Sequence, residues 1–167
     1  KTGTLTQSEM KVVDIYTDGK LWVQSAKYKV QVNGTSIFDI ALLCNKARYG
    51  RDASGVEKIF GDPTEIGLIE SAEENWLQKS SLEDAYPLIT EFPFDSERKR
   101  MSILRKYDGW IRSYVKWAPE RILELITHEQ IGNDIVSIDT ARTDELQNVF
   151  RKLAQEWKRV LAMAYKN

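Results

Sequence analysis

Two runs rich in Ile, Leu, Val, Tyr and Trp, Arg100–Tyr107 and Trp110–Trp117, are separated by nothing but Asp108-Gly109. A two-residue Asp-Gly loop tolerates the positive φ angles of the tight turns whose twist matches that of paired strands, so this segment is a hairpin. No crossover helix fits into two residues, which excludes parallel pairing here. Asp18-Gly19 repeats the device between Met10–Thr17 and Leu21–Val32, and Asn33-Gly34 closes the second of those runs. Leu88–Phe94 reads as a further strand before the hairpin, and the apolar run Val160–Tyr165 as a last strand that completes the sheet.

Helical signals lie between these strands. Ser36 precedes Ile37, Ile40, Ala41, Leu42 and Cys44, a capped helix with one apolar side. Asp62 caps a second helix, with Pro63 at its first position, Glu65 placed to complete a capping box, and Ile66, Ile69, Ala72 and Trp76 extending it to about Leu77. Ser81–Tyr86 predicts a short helical turn, and Pro119 opens a helix through Ile126. Thr143 is placed to cap a final helix carrying Leu146, Val149, Phe150, Leu153 and Trp157. Tyr49–Gly61 and Ile131–Asp139 read as loops, the latter with at most a short strand. Hairpins alternating with helices predict an α+β fold, a mostly antiparallel β-sheet flanked by helices. At 167 residues and 42% hydrophobic content, one domain with a true core is expected.

The same residues exclude several functions. Lysine and arginine (24) nearly cancel aspartate and glutamate (25), leaving a net charge of -1 and no field that would favour nucleic acid. The one basic cluster, Arg98-Lys99-Arg100, stands beside Asp95 and Glu97, so no nucleic-acid partner is expected. Cys44 is the only cysteine and His128 the only histidine, which removes disulfides, zinc spacing and His-based triads; no metal site is expected in the chain. No glycine-rich phosphate loop ending in Gly-Lys-Ser/Thr is present. No apolar run reaches the roughly 18 residues of a membrane span.

Five segments remain: Lys1-Thr2-Gly3-Thr4, Gly61-Asp62-Pro63-Thr64-Glu65, Phe94-Asp95-Ser96-Glu97-Arg98-Lys99-Arg100-Met101-Ser102, Lys116-Trp117-Ala118-Pro119-Glu120, and Arg159-Val160-Leu161-Ala162. Each has an ordinary explanation by itself, as a polar terminus, a capped helix, a solvated turn or a strand end. In this order they resemble the nucleotide-binding (N) domain of P-type cation-transporting ATPases, in the branch of the calcium and sodium/potassium pumps. That family carries Asp-Lys-Thr-Gly-Thr at the domain's entry, then Gly-Asp-Pro-Thr-Glu, Phe-Asp-Ser-x-Arg-Lys-x-Met-Ser and Lys-Gly-Ala-Pro-Glu.

The resemblance implies that residues 1–9 are a stub of the phosphorylation domain and hinge, and residues 10–167 the nucleotide-binding domain. The phosphorylated aspartate would directly precede Lys1, with Lys1 and Thr2 flanking it. It further implies an ATP site in which Phe94 stacks on adenine, Glu65 accepts a hydrogen bond from the adenine amino group, and Lys116 lines the base pocket. Lys99 and Arg159 would attract the phosphates, and the motif neighbours Asp62, Ser96, Trp117 and Leu161 would complete the site. Implied partners are Mg²⁺ in the intact enzyme and the phosphorylation, actuator and transmembrane domains of a membrane pump, with this domain in the cytoplasm. The isolated chain is expected to be a monomer that binds ATP without turnover.

Two departures stand out: Trp117 replaces the family glycine, and Phe60 replaces a lysine frequent before Gly61. Trp117 either alters the pocket floor or adds a second aromatic wall. An alternative left open is a non-catalytic regulatory or protein-interaction domain of the same fold.

Overall fold

A computed structural model of the chain describes residues 9–23 and 35–167. Lys1-Thr2-Gly3-Thr4 and the predicted strand end and turn through Asn33-Gly34 lie outside the described residues. In chain order the elements are β1 (Asp14–Thr17), β2 (Lys20–Val23), α1 (Ile37–Leu43), β3 (Arg48–Arg51), β4 (Glu57–Phe60), α2 (Pro63–Glu74), α3 (Lys79–Ala85) and β5 (Leu88–Asp95). They continue with β6 (Arg100–Tyr107), β7 (Trp110–Trp117), α4 (Pro119–Leu123), β8 (His128–Ile131), β9 (Asp134–Ser137), α5 (Thr140–Gln155) and β10 (Ala162–Lys166).

The Asp108-Gly109 turn behaves as its residues require: φ is 50° at Asp108 and 83° at Gly109, and β6 and β7 pair antiparallel from Arg100↔Trp117 to Tyr107↔Trp110. This hairpin is the middle of a four-stranded sheet ordered β10-β7-β6-β5. The apolar run at the end of the chain forms the strand expected of it, β10, which adds antiparallel to β7. Alternation then sorts the hairpin's side chains: Met101, Ile103, Arg112, Tyr114 and Lys116 are buried on one face, while their neighbours in sequence are only half-buried.

Helix α1 lies on that buried face and is the hub of the core. Ile40, Leu43 and Cys44 pack on Met101, Ile103 and Tyr114 of the sheet. Phe38 and Leu42 turn the other way, to Ile69 and Ala72 of α2 and Ile15 of β1. Leu42 and Leu43 are both fully buried, each burial contributing about 1.5–3 kcal/mol. Arg105 anchors the end of α1 to the sheet: its guanidinium, 3% exposed in residue terms, donates to Leu43 O at 2.9 Å, Tyr86 O at 3.1 Å and Glu83 Oε1 at 2.9 Å. Ser36 caps α1 as expected, and Asp39 answers it, accepting from Ser36 N at 2.7 Å to close a full capping box.

Several boundaries differ from the sequence reading. Tyr49–Gly61 is not a loop but the β3–β4 hairpin. Its turn lacks a two-glycine or Asn-Gly signal because the Asp52 carboxylate builds it, accepting from Ser54 N at 2.9 Å and Val56 N at 3.1 Å. The segment from His128 to Ser137 is likewise a hairpin, β8–β9, with Gly132 at φ 59°. Helix α2 stops at Glu74 rather than Leu77, and α4 at Leu123 rather than Ile126. The cap of α5 is Asp139, which accepts from Arg142 N at 2.7 Å, so Thr143 lies inside the helix. Trp157 falls beyond that helix at φ 60° and is 98% exposed, outside the apolar stripe in which its spacing had placed it.

Candidate aromatic and cationic site

Helix α2 begins beside the end of β7, and its start is set by Asp62, whose Oδ1 accepts from Thr64 N at 2.8 Å. Burial works against the Asp62 charge, but the Thr64 hydroxyl and N–H and the Arg159 guanidinium together hold the carboxyl below the ordinary aspartate range. Glu65 does not close the expected capping box. Its Oε1 accepts from Lys116 Nζ at 2.8 Å and its Oε2 from Lys46 N at 3.2 Å. The tertiary partner wins because Lys116 is buried at 1% exposure, and a buried ammonium without a counter-charge costs more than an open helix N-terminus.

Asn45, invisible to motif reading, holds this arrangement in place. It is 3% exposed; its Nδ2 donates to Ala41 O at 3.1 Å and Glu65 O at 2.9 Å, and its Oδ1 accepts from Ala47 N at 2.9 Å. An asparagine just after a helix is an ordinary terminator, and nothing local signals that it reaches Glu65, 20 positions on. Gly61 is needed where it stands: a Cβ there would lie 2.6 Å from Ala47 Cβ.

The aromatic part of the site adjoins the ion pair. Phe94, at the end of β5 and 46% exposed, packs on Trp117 with ring centroids 4.5 Å apart and planes inclined at 33°. The Arg159 guanidinium covers the Trp117 ring at 5.2 Å and donates to Thr64 Oγ1 at 2.9 Å. Contacts therefore run Phe94–Trp117–Arg159–Thr64, and Lys116, just before Trp117, and Glu65, just after Thr64, form the buried pair. An open cleft of about 270 Å³ borders Trp117 and is lined by Pro119, Phe150, Ala154, Arg159 and Leu161.

Of the residues singled out from sequence, Asp62, Phe94, Trp117 and Arg159 are thus joined directly or through Thr64, Glu65 and Lys116 form the adjoining ion pair, and Leu161 lines the cleft. Ser96 and Lys99 sit in the exposed turn between β5 and β6. Lys99 takes φ 48° and its N–H closes the turn on Asp95 O at 2.7 Å. Among the described residues no group of three or more His, Cys, Asp or Glu could hold a metal ion. Nor is any described helix long and apolar enough to cross a membrane.

The fold and these contacts define an α+β domain with a mixed aromatic and cationic site where a helix start meets the end of a sheet strand. The family model for the P-type ATPase cytoplasmic domain N matches residues 33–167, and the chain belongs to that family. Calcium-transporting ATPase 1 of Bacillus cereus is 33% identical over 169 residues, covering 99% of this chain and 18% of the relative. A probable cation-transporting P-type ATPase of Mycoplasma genitalium is 34% identical over 170 residues, covering 99% and 16%. The sodium/potassium-transporting ATPase subunit alpha-1 of Oreochromis mossambicus is 29% identical over 184 residues, covering 99% and 18%. The chain thus spans less than a fifth of the length of these relatives.

Proposed function

We propose that the chain is the ATP-binding domain of a P-type pump that couples ATP hydrolysis to cation transport, with the base held at Phe94 and Glu65 and the phosphates at Arg159 and Lys99. The observation that carries this is that an exposed aromatic ring and a guanidinium, joined through Trp117, adjoin a buried and oriented carboxylate, because Thr64 and Trp117 are the sequence neighbours of Glu65 and Lys116.

That set fits an adenine nucleotide chemically. Phe94 is 46% exposed, and a base stacked on such a ring gains about 1–3 kcal/mol. A carboxylate has about four acceptor positions. Glu65 spends one at each oxygen on Lys116 and Lys46, leaving room for an amino donor such as the 6-amino group of adenine. Guanine presents an acceptor at that edge, which the carboxylate repels, so ATP is preferred over GTP. Lys116 orients Glu65 and neutralises the pocket. Arg159 and the turn lysine Lys99 supply the charge that a triphosphate needs despite the near-zero net charge of the chain. Asp62 and Trp117 belong to the same contacts, Leu161 lines the adjoining cleft, and Ser96 lies in the turn that follows Phe94.

In the intact pump the domain, residues 10–167 in this reading, presents the γ-phosphate to an aspartate of the phosphorylation domain, to which residues 1–9 belong. Mg²⁺ there supplies charge neutralisation for in-line phosphoryl transfer. The domain acts on the cytoplasmic side of the membrane, in company with actuator and transmembrane domains. By itself the chain is a monomer that binds nucleotide without turnover.

The test is a titration of isotope-labelled chain with ATP and GTP, followed by amide shifts. Saturable shifts at Glu65, Phe94 and Trp117, tighter for ATP and weakened by Phe94→Ala, are expected. A chain that shows no localised shift at millimolar ATP is not an ATP-binding domain.

A further inference from the structure

The indole of Trp117 meets both the proposed stacking ring and the proposed phosphate-binding cation. Trp117 packs on Phe94 at 4.5 Å between centroids, and the Arg159 guanidinium lies 5.2 Å from the centroid of the same indole. Indole, like purine, is a flat fused bicycle, and an aromatic ring and a guanidinium are what a bound base and its phosphates would meet. A purine inserted between Phe94 and Trp117 would need roughly twice the observed separation, whereas beside Trp117 the open cleft of about 270 Å³ offers the indole another place to go.

We propose that Trp117 is an internal stand-in for the nucleobase: its indole occupies the stacking position on Phe94, and ATP binds by displacing it toward the cleft beside Pro119 and Phe150. The inference rests on the nucleotide reading above. Trp117 is then an affinity-setting residue that makes the base pay a competitive penalty of the order of the contacts the indole gives up, the Phe94 pair chief among them. Removing the indole raises the binding-competent fraction and with it the apparent affinity.

Calorimetric titration of the chain and of its Trp117→Gly and Trp117→Leu variants with ATP, adenosine and inorganic tripolyphosphate tests this. An aromatic pair of ordinary strength predicts that both variants bind ATP and adenosine about two- to tenfold more tightly than the wild type. Tripolyphosphate, which lacks a base, binds all three alike. In the unaltered chain the Trp117 indole N–H signal, identified by its loss in both variants, shifts on saturation with ATP. ATP affinity that is unchanged or weaker in both variants overturns the proposal, and weaker binding identifies Trp117 as a wall of the base site instead. A gain for tripolyphosphate equal to that for ATP also overturns it, because the effect then lies in freeing Arg159. If no form of the chain binds ATP saturably, the nucleotide reading itself fails, and the stand-in with it.

Discussion

Lys116 Nζ donates to Glu65 Oε1 at 2.8 Å across the junction of β7 and α2, with the two side chains only 1% and 11% exposed. A pair this buried behaves differently from a surface ion pair, because each charge has lost its water and depends on the other. Lys116→Met is expected to destabilise the chain by about 3–5 kcal/mol in urea unfolding, since it strands the Glu65 carboxylate. Adding Glu65→Gln should recover most of that loss. A double variant no more stable than Lys116→Met would show that the carboxylate is not the liability.

Gly67 sits inside α2, where alanine ordinarily stabilises a helix by about 1 kcal/mol. Here a Cβ would lie 2.2 Å from Met10 O, a backbone atom that cannot swing aside. Gly67→Ala is therefore expected to lower stability by about 1–3 kcal/mol, the ordinary cost of overpacking, against the propensity trend. A thermal midpoint equal to or above wild type would mean that residues 9–13 do not pack on α2 in solution.

Asp62 offers a pH test with a definite sign. Its folded carboxyl titrates below the unfolded value near 3.8, so its charge contributes stability that is complete above that value and fades as pH falls toward the folded one. Asp62→Asn keeps a good helix cap but removes the charge facing Arg159. Thermal midpoints of the variant should lie below wild type at pH 6 and converge with it below about pH 4. A gap that stays constant with pH would assign the effect to capping alone.

The Cys44 thiol is buried and pushed up to about 12, chiefly by loss of solvent and in part by the Glu65 charge, with Lys116 and Arg105 pulling the other way. At pH 8 the thiolate fraction is then about one in ten thousand. Alkylation by iodoacetamide is expected only as fast as the domain opens, and rapidly in denaturant. Immediate reaction of the native chain would place α1 away from the sheet.

What could be read along the chain was whatever rests on neighbours in sequence. The Asp108-Gly109 turn, the Ser36 cap and the Asp62-Pro63 helix start are short-range devices, and all three form as expected. The β3–β4 and β8–β9 hairpins escaped although Asp52-Ala53-Ser54-Gly55 and Gly132-Asn133 are turn-forming runs, because the four-residue strands that flank them are short and largely polar or charged. The apolar spacing that carried Trp157 into α5 failed for its own reason, since periodicity cannot tell a last helical turn from the residues just past it.

The sequence by itself determined the α+β class, the antiparallel pairing of β6 with β7 and, through its motifs, the family. It also supplied the residue types of the site, an aromatic ring, a carboxylate and scattered cations. Only the tertiary structure decided how they are used. Glu65 turned from its own helix start to Lys116, 51 positions away, because a buried ammonium outweighs a local cap. Arg159 came to rest on Trp117 and Thr64 because β10 lies alongside β7 and brings the preceding link back to the start of α2. Such choices depend on charges and rings far apart along the chain competing for the same desolvated space, and no local rule of spacing ranks that competition.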